Sequence, residues 1–194
     1  MNISKLAVAS NNQHKIFEFK TILSDKFTLL TPKELGLQFE VEETETTFQG
    51  NAKLKSEYLY KISSLPSIAD DSGICVSALG GKPGVYSARY GKPKFSDRDR
   101  TEYLLENIKG NLDRNAYYYC SIAYTDENGT RFFDGKCEGI LAEDYDESGN
   151  GFGYDPIFIY PPFNKRFSQV SVQEKNAISH RGIALRELAK FLLN

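Results

Sequence analysis

The feature that most constrains the fold is an Asn-Gly pair, Asn128-Gly129, between two long runs of β-forming residues. Asn-Gly is the strongest short-range hairpin signal, because both residues tolerate the positive φ that a two-residue turn requires. The run over 115–126 therefore predicts one strand, and 130–142 returns antiparallel to it. Alternate residues of the first strand share one face, namely Tyr118, Cys120, Ile122 and Tyr124.

The first third of the chain follows a different pattern, in which short apolar runs alternate with helical periodicity. Apolar runs predict three strands, at 5–9, 27–30 and 39–43. A long helix is expected to begin near Thr46 or Thr47 and to stop before Pro66, and later helices follow the caps Ser96 and Ser179. The fold class is therefore α/β, with a twisted mixed β-sheet flanked by helices.

The length of the chain predicts its domain organisation, and its charge predicts its partners. A chain of 194 residues can bury a core without metal or disulfide staples, and no linker divides it, so we expect a single domain over 1–194. The 24 basic and 26 acidic residues give a formal charge of -2, which predicts no nucleic-acid or membrane partner. Without a signal segment and with three widely spaced cysteines, the protein is expected in the cytoplasm with reduced thiols.

The polar segment after the first strand is a candidate phosphate site. Ser10, Asn12 and Lys15 lie where a strand passes into a helix, and backbone N–H groups at a helix start bind anions. The alternative is an ordinary N-cap followed by a solvated lysine. The segment lacks the glycines of a Walker loop.

Two acidic pairs form a candidate metal site. Glu42 and Glu43 end a predicted strand, and Asp70 and Asp71 are expected in a tight turn before Ser72. Carboxylates that converge in space favour a hard divalent cation such as Mg²⁺ or Mn²⁺. By spacing alone, turn and surface charges are an equally good interpretation.

Two further segments carry groups suited to a nucleotide base. In GFGYDP, glycines flank Phe152, so a ligand could approach the backbone and stack on the ring. In EKNAISHRG, Lys175, His180 and Arg181 lie around a predicted helix start, where cations are unfavourable without an anionic or carbonyl-rich ligand. A loop that covers the core and a solvated charged face are the alternatives.

Six segments in order and spacing resemble the inosine/xanthosine triphosphate pyrophosphatases: SNNQHK, EETETTFQGNA, ADDSG, GGKPGVYSARYG, GFGYDPIF and EKNAISHRG. The resemblance spans almost the whole chain. It implies a long twisted mixed sheet in two lobes with a nucleotide in a central cleft. It also implies a homodimer that hydrolyses ITP, dITP and XTP to the monophosphate and pyrophosphate with Mg²⁺.

The resemblance also implies roles for individual residues. Residues for the triphosphate are Ser10, Asn12, Lys15 and Lys55. Glu43 and Asp71 would bind the metal, with Asp71 also the catalytic acid that activates water beside Asp70 and Ser72. Residues for the purine are Phe152, which would stack on it, with Gly153, Tyr154, Asp155, Lys175, His180 and Arg181. Arg89 would lie near the cleft or the dimer contact.

Two other functions stay open at the level of sequence. One is a related pyrophosphatase that acts on pyrimidine or modified nucleoside triphosphates, against which the cationic donors of EKNAISHRG argue. The other is a nucleotide-binding module without turnover. The segment after Tyr90, GKPKFSDRD, matches no block of the family, so its contacts are not assigned.

Overall fold

The structure is a computed structural model that describes residues 4–148 and 150–194. Seven strands form one sheet in the order β2-β1-β3-β4-β5-β6-β7. Their bounds are β1 Lys5–Val8, β2 Thr28–Leu30, β3 Ser67–Val76, β4 Asn115–Asp126, β5 Gly129–Leu141, β6 Phe158–Tyr160 and β7 Lys165–Arg166.

The sheet is mixed, as the sequence predicts. β1 runs parallel to both β2 and β3, with Ala7 opposite Leu30 on one side and Ser67 on the other. β6 runs antiparallel to β5 and β7. The two-residue connection between β4 and β5 makes this pair antiparallel too, so the predicted hairpin is confirmed.

The described part of the chain has five α-helices: α1 Gln13–Leu23, α2 Phe48–Ser63, α3 Asp97–Asn107, α4 Val172–Ile178 and α5 His180–Leu193. Thr47 caps α2 through Gly50 N–H, and Ser96 forms a capping box with Asp99 at the start of α3. These caps satisfy backbone donors that have no partner inside the helix. None of the helices among the described residues is long and apolar enough to cross a membrane.

Two local predictions are wrong. Segment 39–43 is a loop rather than a strand, and Phe39 packs onto a cluster around Leu59. Asp70 and Asp71 do not form a tight turn, since β3 runs unbroken through them. The carboxylates remain inside a buried strand because side chains on neighbouring helices pair with them.

The chain divides into two compact units, and the expectation of a single domain stays a prediction. Unit 1 comprises 1–71, 120–135 and 180–194, and unit 2 comprises 72–119 and 136–179. Each unit has its own hydrophobic core. That of unit 2 packs Tyr118, Phe158 and Phe167 together, with ring centroids 4.6–5.9 Å apart.

Unit 1 has a separate apolar layer on each face of its strands. Even-numbered residues such as Leu6 and Ile68 pack with α1 and α5, whereas odd-numbered residues such as Ala7 and Ala69 pack with Leu59 of α2. This division follows from the alternation of side chains along a strand. In the part of β3 that belongs to unit 1, the parity of a position therefore assigns it to one of the two helix layers.

Gly135 of β5 allows α5 to approach the sheet at van der Waals distance. A Cβ at this position would lie 2.0 Å from the carbonyl oxygen of His180 and 2.9 Å from the nitrogen of Ala184. Both atoms belong to the backbone, so a larger residue would displace the start of α5. The position therefore requires glycine for steric reasons.

We predict that Gly135→Ala lowers the free energy of unfolding by about 3 kcal/mol, the upper end of overpacking costs. The control is Glu138→Ala, on the same strand, which removes only an exposed ion pair and should cost within about 1 kcal/mol. Urea unfolding monitored by circular dichroism measures both. Equal losses in the two variants would contradict this account of α5 packing.

Candidate active site

The loop between β1 and α1 is organised by its own side chains. Asn12 caps α1, and its Oδ1 accepts hydrogen bonds from the backbone nitrogens of His14 and Lys15 at 3.0 and 3.3 Å. Ser10 Oγ accepts from Asn12 N–H at 3.1 Å. The N-cap interpretation is therefore correct, yet Lys15 is not solvated, because its side chain is 18% exposed and its Nζ lies 3.1 Å from Asp70.

Asp70 is fully surrounded and paired with cations. Its Oδ2 accepts hydrogen bonds from Arg181 at 3.0 Å and contacts Lys15. Arg181 donates in turn to Glu18, a buried carboxylate of α1. Burial opposes ionisation of Asp70, but Lys15, Arg181 and Lys55 hold its pKa far below the ordinary range. The neighbouring cations thus favour the ionised form of Asp70.

Asp71 lies in a different environment, although it is the next residue. Its Oδ2 accepts a hydrogen bond from the side-chain amide of Asn51 at 3.0 Å. Burial raises the pKa of Asp71, and Glu43 adds to the rise, against the opposing influence of Lys55 and Lys15. A buried carboxylate held by an amide keeps its basicity, which suits a group that accepts a proton from water.

Glu43 and Lys55 complete the polar cluster of unit 1. Lys55 Nζ donates to Glu43 Oε1 at 2.6 Å, with the two side chains 12% and 23% exposed. Burial opposes the charge on Lys55, but Asp70, Asp71 and Glu43 raise its pKa above the ordinary value. We name the four residues Glu43, Lys55, Asp70 and Asp71, together with Lys15, the acid–lysine cluster.

The donor set of this cluster fits a hard divalent cation. Glu43 and Asp71 are close enough for each charge to act on the other, and both supply carboxylate oxygens. Mg²⁺ is commonly held by one or two carboxylates, with phosphate oxygens and water as further ligands. Within 4–148 and 150–194, no group of three or more His, Cys, Asp and Glu side chains is arranged to hold a metal.

In unit 2, the predicted base-binding segment forms a compact loop around Asp155. Phe152 N–H donates to Asp155 Oδ2 at 2.9 Å, and a Cβ at Gly151 would lie 2.7 Å from that of Asp155. Thr101 of α3 donates to the carbonyl of Gly153 at 3.1 Å. The side chains of Asp155 and Thr101 therefore hold the loop backbone at Phe152 and Gly153.

Lys175 of α4 joins this loop. Its Nζ lies 2.6 Å from Asp155 Oδ2 and 4.6 Å from the centroid of the Phe152 ring. A cation above an aromatic face is stabilised by the quadrupole of the ring. The structure thus brings Phe152, Asp155 and Lys175 together. An amine donor and an aromatic ring therefore lie side by side.

The other predicted base-binding residues lie elsewhere or are buried. Tyr154 is buried, and its hydroxyl donates to the carbonyl of Ser87 at 2.8 Å, so it supports the loop. His180 and Arg181 belong to unit 1, where Arg181 pairs with Asp70. Ser72, which was predicted beside the catalytic acid and not at the base, is the first residue of unit 2. Base recognition by these residues stays a prediction.

Two buried polar residues beside the cluster, Glu18 and Asn51, were not predicted from the sequence. Glu18 lies three residues after Lys15 and Asn51 four residues before Lys55, so each shares a helix face with a predicted residue. Both are buried in helices whose other buried residues are mostly small or apolar. Polar residues on a buried helix face were therefore the signal available in the sequence.

A mixed β-sheet flanked by helices places two half-buried lysines beside carboxylates and a capped helix start, an arrangement that suits phosphate groups. The sequence profile of the Ham1 family matches residues 6–191. The dITP/XTP pyrophosphatase of Leptospira interrogans is 53% identical over 190 residues, covering 97% of this chain and 96% of the relative. That of Staphylococcus epidermidis is 43% identical over 188 residues, covering 96% and 95%.

Solved structures agree with these relatives. The Ham1 protein of Staphylococcus aureus matches with a TM-score of 0.88 and 43% identity, covering 97% of this chain and 98% of that one. A HAM1 protein from Coxiella burnetii matches with a TM-score of 0.89 and 36% identity, covering 98% and 99%. The chain belongs to the Ham1 family, and the predicted family and fold class are confirmed.

The contrast between the two adjacent acids gives a prediction about stability. Asp70→Asn should lower the free energy of unfolding at pH 7 by about 3 kcal/mol, because it leaves buried cations without their partner. Asp71→Asn should be neutral or stabilising, because burial already disfavours the charged form of Asp71. Urea unfolding with EDTA present measures both. An equal loss in the two variants would contradict the assignment.

Proposed function

We propose that this chain hydrolyses dITP, ITP and XTP to the nucleoside monophosphate and pyrophosphate. The observation that carries the proposal is the acid–lysine cluster of unit 1, in which Asp71 retains a raised pKa while Lys15 and Lys55 lie close by. The names of the relatives support the same activity, since they are dITP/XTP pyrophosphatases at up to 53% identity.

For the triphosphate of the nucleotide, this chain supplies two lysines, the start of α1 and a general base. Lys15 and Lys55 would offset charge that develops on the pyrophosphate leaving group. Ser10 and Asn12 shape the start of α1, where backbone N–H groups and the helix dipole favour phosphate oxygens. Asp71 would accept the proton of the attacking water, and no covalent intermediate is needed.

Glu43 and Asp71 are the residues that would hold Mg²⁺. When bound, the ion supplies neutralisation of phosphate charge and a lower pKa for water. Lys55 already contacts Glu43, so its ammonium group keeps one carboxylate oriented before any cation arrives. Arg181 and Glu18 lie on the Asp70 side, where they fix the charge of Asp70 rather than provide ligands.

At the base end, Phe152 would stack on the purine and Lys175 would donate to its 6-oxo group. Hypoxanthine and xanthine carry an oxygen acceptor at position 6, whereas adenine carries an amino donor. A donor that meets another donor in a buried site loses about 1–3 kcal/mol. Asp155 orients Lys175 through the 2.6 Å ion pair, so the amine has a defined direction.

The proposal includes the homodimer and the cytoplasmic location that the family resemblance implies. Experiment can distinguish this proposed function from two alternative functions. A pyrimidine-selective pyrophosphatase would prefer dTTP or dCTP, and a binding module would bind a nucleotide without releasing any product. Separate assays of pyrophosphate and orthophosphate also distinguish a single release of pyrophosphate from stepwise removal of orthophosphate.

We predict that, with Mg²⁺, the protein releases pyrophosphate from dITP and XTP at least about 10-fold faster than from dATP, since a buried donor that faces the amino group of adenine costs about 1–3 kcal/mol. Pyrophosphate and orthophosphate are assayed separately. Asp71→Asn, prepared in parallel, should lower kcat by about 10²–10⁴-fold and so excludes a contaminating enzyme. Orthophosphate as the sole product, or equal rates for dITP, XTP and dATP, would reject the proposed hydrolysis to pyrophosphate.

Base recognition is tested by Lys175→Gln. We expect kcat/KM for dITP to fall by about 10-fold or more, with a smaller change for dATP, because only dITP presents an acceptor to the lost amine. Lys165→Gln, an exposed lysine of the same unit, should leave the ratio of the two substrates unchanged. A parallel fall for dITP and dATP in Lys175→Gln would show that this lysine does not read the base.

A further inference from the structure

Asn51 is a buried amide that connects two parts of the acid–lysine cluster. Its Nδ2 donates to Asp71 Oδ2 at 3.0 Å, and its Oδ1 accepts from the backbone N–H of Glu45 at 3.0 Å. The side chain is 0% exposed. One residue of α2 therefore links the catalytic carboxylate on β3 to the backbone two residues after Glu43.

The contact between this loop and α2 is tight enough to hold a defined geometry. A Cβ at Gly50 would lie 2.7 Å from the Cβ of Glu45 and 2.9 Å from Thr47 Oγ1, so glycine is required there. Thr47 Oγ1 also caps the helix by accepting from Gly50 N–H at 3.0 Å. The loop that carries Glu43 is thus held against the first turn of α2, next to Asn51.

An amide at this position has a chemical advantage over a cation. A lysine or arginine would neutralise Asp71 and compete with any metal or water for its oxygens. A single amide N–H occupies one lone pair of a carboxylate that has about four, and it leaves the charge in place. Lys55, one turn further along α2, instead contacts Glu43, so the same helix face treats the two carboxylates differently.

We propose that Asn51 is a positioning residue, which rests on the proposed function of the cluster. By bonding Asp71 and the Glu45 backbone at once, its amide sets the separation of the Asp71 and Glu43 carboxylates for one shared divalent cation. Asn51 would act through Asp71, whose carboxylate it contacts, rather than on the nucleotide itself. Its loss should therefore affect turnover and cation affinity more than nucleotide affinity.

The test compares Asn51→Leu and Asn51→Asp with Ser56→Ala. Leucine has a similar size and makes neither hydrogen bond, whereas aspartate keeps the acceptor for Glu45 N–H but places a carboxylate against Asp71. Ser56 is a buried residue of the same helix whose hydroxyl lies 2.8 Å from Thr125 Oγ1, so its loss serves as a structural control. Thermal unfolding midpoints are recorded for all three variants.

Two readouts distinguish positioning from simple destabilisation. For dITP, kcat should fall about 10–100-fold in both Asn51 variants, as for other residues that orient metal ligands, while KM stays within about threefold. Without nucleotide, the Mn²⁺ affinity of Asn51→Leu, measured by electron paramagnetic resonance of free Mn²⁺, should fall about 10-fold. Ser56→Ala should keep kcat and Mn²⁺ affinity near the wild-type values.

A third measurement uses the unmodified protein and does not depend on how the variants fold. Glu45 lies in an exposed loop, so its backbone N–H should exchange rapidly unless Asn51 accepts from it. We expect slowed hydrogen exchange at Glu45 relative to its neighbour Thr46. Exchange at the unprotected rate would overturn the proposal.

The remaining outcomes test the positioning role of Asn51 separately from the proposed hydrolysis of dITP. Wild-type kcat in Asn51→Asp, or unchanged Mn²⁺ affinity in Asn51→Leu, would overturn the positioning role even if the enzyme cleaves dITP as proposed. If the wild-type protein does not cleave dITP, the proposed function fails, while the Mn²⁺ and hydrogen-exchange results still decide whether Asn51 organises the carboxylates.

Discussion

The site depends on the alternation of side chains in one buried strand. Asp70 and Asp71 are neighbours in β3, so their carboxylates point to opposite faces of the sheet, where different helices supply their partners. Asp70 meets Lys15 of α1 and Arg181 of α5, and Asp71 meets Asn51 of α2. Two adjacent residues of the same type thereby acquire opposite pKa shifts.

The same arrangement explains why so much charge is buried in unit 1. Burial of a carboxylate is costly unless hydrogen bonds and opposite charges compensate for it. On the α1 and α5 face, the chain Lys15, Asp70, Arg181 and Glu18 alternates in sign, and each member contacts the next. On the α2 face, a neutral amide and one lysine serve two carboxylates, which leaves negative charge that a divalent cation can balance.

Sequence patterns predicted the elements whose determinants are local. The hairpin at Asn128-Gly129 and the caps Thr47 and Ser96 were found because each signal lies within a few residues. The turn predicted at Asp70-Asp71 is wrong because carboxylates are rare in buried strands, and the side chains that allow them there are distant in the chain: Lys15 and Arg181 for Asp70, and Asn51 for Asp71. The acidic pairs, Lys15 and Lys175 follow from the sequence pattern, and Lys55 from the resemblance to the family. Asn51 and Glu18 depend on contacts that only the folded chain reveals.

The opposite titration of the two acids can be measured directly. Carbon-13 NMR of the metal-free protein, with aspartate labelled at the carboxyl carbon, follows each group as the pH is lowered, and Asp70→Asn and Asp71→Asn assign the signals. The account predicts that Asp71 takes up its proton above the ordinary value of 3.8 and that Asp70 stays ionised well below it. Titration of both carboxylates near 3.8, or in the reverse order, would contradict the account.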